Sequence, residues 1–120
     1  MEPKYSGGIV GKWKLVEVYA DPGDGSGKFR KIDSKKTITF TNDGKVKTTN
    51  GELCMISAAS TESQSSFYTL INNTDPLANS VPQMKIEKCQ STLNYSIQND
   101  VLTIYYQCIE GCGEKFERVN

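Results

Sequence analysis

Apolar and polar residues alternate along this chain in short runs, each closed by glycine, asparagine, aspartate or proline. A period of two is that of a strand with one buried face. The run GKWKLVEVYA at 11–20 sets Trp13 and Leu15 on one face and Val16 and Val18 on the other, with Glu17 breaking the alternation by sharing the face of Leu15. In KKTITFTNDGKVKTTNG, Ile38 and Phe40 alternate with threonines, Asn42-Asp43-Gly44 supplies a turn, and Val46 resumes the pattern, which predicts a hairpin. SSFYTLI, PQMKIEKC, TLNYSIQ, VLTIYYQC and EKFERV continue the series, and Asn99-Asp100 turns one of these strands into the next. No segment of ten or more residues carries a helical period. The pattern predicts an all-β domain of about eight short strands, an antiparallel up-and-down meander whose exposed edges are removed if it closes into a barrel. Two segments interrupt the spacing, 21–34 and 72–80, and both are candidate loops at a barrel mouth.

Composition narrows the function. With 120 residues and 37% hydrophobic content the chain suffices for one domain with its own core, taken as 9–120. Residues 1–8, MEPKYSGG, are expected to be a flexible leader, the remainder of an export signal or lipid-anchor tether to which a Met has been added. Lys+Arg and Asp+Glu balance at 14 each, so nothing favours nucleic acid or anionic membrane as the main partner. The basic group Lys28, Arg30, Lys31, Lys35 and Lys36 reads as a solvated edge or loop. No stretch of about 18 apolar residues could span a membrane as a helix.

Histidine is absent, which removes Ser/His and Cys/His nucleophile systems and mixed Cys/His zinc sites. The carboxylates Glu17, Glu52, Glu87, Glu110, Glu114 and Glu117 carry no spacing that pairs two of them across a cleft. No metal or cofactor is therefore expected, and the domain reads as a non-enzyme. Asp21-Pro22-Gly23-Asp24-Gly25, within DPGDGSG, has its acids at first and fourth positions and fails the EF-hand pattern. It also lacks the lysine and strand-to-helix context of a phosphate loop, leaving a structured loop between two strands. For the adjacent pair Tyr105 and Tyr106 a strand turns one ring inward and the other outward.

The four cysteines, Cys54, Cys89, Cys108 and Cys112, allow two disulfides, a four-thiolate zinc site or free thiols, with disulfides favoured. In YQCIEGCGEKF a three-residue hairpin loop ending at Gly111 would set Cys108 opposite Cys112 with Cα atoms about 5.5 Å apart. That leaves Cys54 to Cys89 by elimination.

Gly11-Lys12-Trp13 opening the first strand, with Arg118 in the last, resembles the G-x-W and C-terminal arginine signature of the lipocalin superfamily. More broadly, WKLVEVYADPGDGSGKF, TITFTNDGKV and LTIYYQCIEGCGEKFERV look like the small lipocalin-like domains of secreted or lipid-anchored Bacteroidetes proteins. The likeness implies that Trp13 plugs a closed barrel end with Arg118 across its indole face. Read from the residues alone, Trp13 is equally an ordinary core tryptophan. The resemblance further implies that Asp21–Gly25 lids the mouth. It implies an exported protein, periplasmic, outer-membrane-anchored or extracellular, that binds a small apolar ligand or lipid. The rival expectation is a structural or interaction module, accessory or inhibitor-like, with no ligand cavity.

Overall fold

Wherever the alternation is unbroken the chain forms a strand. The computed structural model describes residues 8–20, 28–57, 60–71, 82–106 and 111–119. The strands are β1 (Gly11–Ala20), β2 (Arg30–Lys31), β3 (Thr37–Phe40), β4 (Lys45–Thr49), β5 (Gln64–Ile71), β6 (Gln83–Ile86), β7 (Ser91–Gln98), β8 (Val101–Tyr106) and β9 (Cys112–Val119). Each pairs antiparallel with its neighbour, and β9 returns to β1 over the register Lys12↔Val119 to Ala20↔Cys112, closing the sheet. On its other side β1 is shared: β3 covers its first half, Gly11↔Phe40 to Lys14↔Thr37, and β2 its second, Val18↔Arg30. Together β2 and β3 make one interrupted stave, so the barrel has eight.

The irregularity at Glu17 has a structural cause. A bulge between Leu15 and Glu17 shifts the register so that Val18 lies opposite Glu114 on the inner face. Trp13, Leu15 and Val18 therefore all point inward, where strict alternation would have sent Val18 outward. The run PQMKIEKC is strand only as far as Ile86; Glu87–Cys89 is a single 3₁₀ turn closed by Gln90 in the left-handed region at φ 56°.

Residues directly opposite on antiparallel strands share a face, and the registers trace one continuous inner ring. Phe40, Val46, Met84, Leu93, Leu102, Phe116, Leu15, Trp13 and Ile38 on that ring are all at most 1% exposed. Tyr106 lies inside and Tyr105 outside, as their adjacency requires.

The two interruptions join strands at opposite ends of the barrel. The link after Ala20 leaves the end where β1 stops, whereas β5 and β6 are joined past Ile71↔Gln83, at the end where β1 starts. They cannot both border one mouth. Of the segment 1–8 expected to be a leader, residues 1–7 lie outside the described residues, as do the loop residues Asp21, Pro22, Gly23, Asp24 and Gly25.

Candidate functional site

At the end where β1 begins, Trp13 is fully buried and its Nε1 donates to the Ile9 carbonyl at 2.9 Å. The Arg118 guanidinium stacks on the indole, Cζ to ring centroid 4.2 Å. Each of its three nitrogens donates: Nη1 to Val10 O at 2.9 Å, Nη2 to Gly8 O at 2.7 Å, and Nε to Asp100 Oδ1 at 3.0 Å. Asp100 is in the β7–β8 turn, so one arginine ties the entering chain, the indole and that turn together. Gly11 is dictated by this contact. Its φ is +138°, and a Cβ there would sit 2.7 Å from Arg118 Nη1.

The far end is plugged by charge. Lys36, expected on a solvated edge, is 0% exposed inside the barrel. Its ammonium donates to Glu114 Oε1 at 2.6 Å, to Ser57 Oγ at 2.8 Å and to Met55 O at 3.5 Å, matching its three protons. Tyr106 OH donates to the same Glu114 oxygen at 2.5 Å, and Ser57 N–H to Oε2 at 3.1 Å. No buried side-chain polar atom among the described residues lacks a partner. Gly51 makes room for the lysine stem, since a Cβ there would run into its methylenes. Lys36 lies inside and not on a solvated edge because of its position: it precedes β3 by one residue, its carbonyl accepts from Leu15 N at 3.0 Å, and its side chain reaches Glu114 on β9.

Burial lowers the Lys36 pKa, with Glu114 pulling the other way. For Tyr106, burial and the Glu114 carboxylate both push the phenol well above its ordinary value. The unfolded phenol ionises near pH 10. Above that pH the folded state holds a proton that the unfolded state has lost, so stability falls as pH rises toward the folded pKa. Lys36 has the opposite sign, its depressed pKa giving stability that rises with pH up to about 10.4. Tyr106→Phe is expected to reduce the alkaline loss above pH 10 by about one proton's slope, read from urea midpoints across that range.

The lid over this end is residues 50–57, a segment the strand pattern did not mark out. Leu53 seals it at 1% exposure, and the Cys54–Cys89 disulfide, Cα atoms 5.4 Å apart, fastens it to the 3₁₀ turn after β6. Cys112 is also disulfide-bonded, and Cys108 lies outside the described residues. The Cys54–Cys89 link closes a sequence separation of 35, for which loop-closure entropy gives about 3–4 kcal/mol. Cys54→Ala/Cys89→Ala should lose that much in equilibrium unfolding followed by Trp13 fluorescence. A loss under about 1 kcal/mol would mean the unfolded state is not appreciably constrained by the link.

One flank of the inner ring stays open. On β5, Ser66, Tyr68 and Leu70 lie opposite Val46, Ile86 and Met84, and on β7, Tyr95 and Ile97 lie opposite Ile104 and Leu102, so all five face inward. Yet Leu70 is 40% exposed, and Tyr68, Tyr95 and Ile97 are only part-buried. The Tyr68 ring packs edge-on against Phe40, centroids 5.0 Å apart, and its hydroxyl donates to Thr41 O at 2.8 Å. Tyr95 OH makes no hydrogen bond among the described residues, and burial raises its pKa, so it stays a neutral phenol. The result is an apolar, aromatic-edged access to the interior at the Trp13 end, with one unspent hydroxyl.

A closed eight-stave antiparallel barrel of this kind fits the fold of small binding proteins. The sequence profile of the lipocalin-like domain family matches residues 9–119, and the chain belongs to that family. No match is found among curated proteins.

Proposed function

We propose that this domain is a non-enzymatic, exported binding protein that takes a small apolar ligand or lipid into the barrel between β5 and β7. The observation that carries the reading is the solvent access of inward-facing Leu70, Tyr68, Tyr95 and Ile97 in a ring whose other apolar positions are largely sealed. Such side chains would gain by being covered with apolar surface, at about 25 cal/mol per Å². The Tyr95 hydroxyl offers one hydrogen bond to an otherwise apolar guest. The buried charges are spent on one another at the opposite end, so they would not compete for the ligand. Membership in the lipocalin-like family supports the binding role, and the Cys54–Cys89 bond supports an oxidising compartment outside the cytosol. Among the described residues no helix is long and apolar enough to cross a membrane. Attachment through a lipid anchor on the full-length protein, as in the secreted and anchored Bacteroidetes domains it resembles, belongs to the same proposal.

Native mass spectrometry of the protein purified from its own host tests it. A retained lipid or apolar small molecule, lost on exchange into organic solvent, is the expected result; bare protein from every preparation would count against it. The rival reading, an interaction module, is favoured by Phe67 and Ile71 on the outer face of β5, 54% and 37% exposed. Association of the protein with itself or a partner that Phe67→Ser abolishes, together with no retained ligand, would establish that reading instead.

A further inference from the structure

A second concavity lies on the outside of the barrel, beyond the reading above. Outward-facing residues of β7, β8 and β9 form a groove of 240 Å³ lined by Ser96, Gln98, Asn99, Val101, Thr103 and Lys115. The registers order it: Ser96, Thr103 and Lys115 lie side by side across three strands, with Gln98 and Val101 paired in the next row and the Asn99 turn closing the end. Toward the other end stand aromatic rings, Tyr105 on β8 at 40% exposure and Phe29, centroids 6.4 Å apart. Lys115 Nζ is held over the Phe29 ring, 4.5 Å from its centroid.

Two observations mark this as more than a surface irregularity. Thr103 faces outward but is only 5% exposed, so it forms the groove floor. Its hydroxyl, like the side chains of Ser96, Gln98 and Asn99, makes no hydrogen bond among the described residues. The Thr103 oxygen is thus not a sealed polar atom but opens onto the groove, where a ligand or water meets its need. No carboxylate lines the groove, but Glu17 lies opposite Lys115 and Glu117 opposite Val101, which offsets the ammonium and disfavours an anion.

We propose that this groove is a binding site for a neutral saccharide of one or two rings. Hydroxyls and amides serve ring oxygens and hydroxyls as both donors and acceptors. The ammonium supplies one further donor, and Tyr105 offers a ring face to the C–H side of a pyranose. The volume is below the roughly 300 Å³ at which pockets take drug-sized molecules, which limits the length of the glycan held.

Amide chemical shifts of the isotopically labelled protein, titrated in turn with maltose, cellobiose, xylobiose and sodium glucuronate, test the proposal. At least one neutral disaccharide should shift the Ser96, Gln98, Thr103 and Lys115 amides saturably in the millimolar range. Thr103→Val, isosteric and free of a buried partner, should weaken that binding about tenfold. It should leave uptake of the apolar probe N-phenyl-1-naphthylamine by the barrel unchanged. No saturable shift with any of the three, shifts with glucuronate alone, or full affinity in Thr103→Val would each overturn it, and none of these bears on the interior site.

Discussion

Trp13→Ala should cost about 3–5 kcal/mol, the range for deleting a large, fully buried aromatic from a core that cannot collapse around the gap. Here the cavity term has a specific aggravation. The indole is the surface on which the Arg118 guanidinium lies at 4.2 Å, and that guanidinium serves the carbonyls of Gly8 and Val10 and the carboxylate of Asp100. Without the ring, those bonds must hold the arginine over a void. Arg118→Ala should cost less, about 1–3 kcal/mol, because it removes partners from three acceptors that can reach water once the side chain is gone. Equilibrium unfolding by circular dichroism measures both. A loss for Trp13→Ala below about 1 kcal/mol would show that the indole is not in a well-packed core.

Glu114→Ala should be comparably severe, about 3–5 kcal/mol, because it leaves the Lys36 ammonium buried without its counter-charge. Tyr106 OH and Ser57 N–H lose their acceptor in the same change. The pair itself need not be a large net stabiliser: two charges at 0% exposure have been stripped of water, and their attraction offsets that penalty only in part. Lys36 and Glu114 should therefore be strongly coupled. Lys36→Met on its own should also destabilise, since it leaves the carboxylate buried beside a neutral chain. The double variant Lys36→Met/Glu114→Leu should recover the part of the loss due to the unpaired charge, and remain below the natural protein by about 1–3 kcal/mol for each donor, Tyr106 OH and Ser57 N–H, left without its acceptor. A double variant as unstable as the sum of the singles would contradict this, showing no coupling between these groups.

Strand placement was legible because the staves are two-faced. The run 11–20 coincides with β1, and the Asn42-Asp43-Gly44 turn falls between β3 and β4. Closure was legible only through Trp13 and Arg118, the residues that meet when the last strand reaches the first. What the pattern could not carry was the filling of the far end. Lys36 sits in a run of lysines, and local charge says nothing about a carboxylate 78 residues away that neutralises one of them. Its one distinguishing signal was position, directly before the Thr-Ile-Thr-Phe strand and in phase with Ile38 and Phe40, which marks the inner face. The lid at 50–57 escaped because it has no period: Leu53 and Ser57 are buried singly, from irregular backbone. The open flank on β5 and β7 read as ordinary alternation, since periodicity assigns a side to Leu70 and Tyr95 but not whether that side is covered.

Fluorescence titration with N-phenyl-1-naphthylamine tests the central claim, that the barrel interior between β5 and β7 takes an apolar guest. The natural protein should give a saturable rise in probe emission. Leu70→Gln, on the inner face, should weaken binding about tenfold, as loss of one aliphatic contact does. Phe67→Gln, on the outer face of the same strand, should leave it unchanged. No saturable binding, or loss in Phe67→Gln with none in Leu70→Gln, would contradict the account and move the apolar contact to the outside of the barrel.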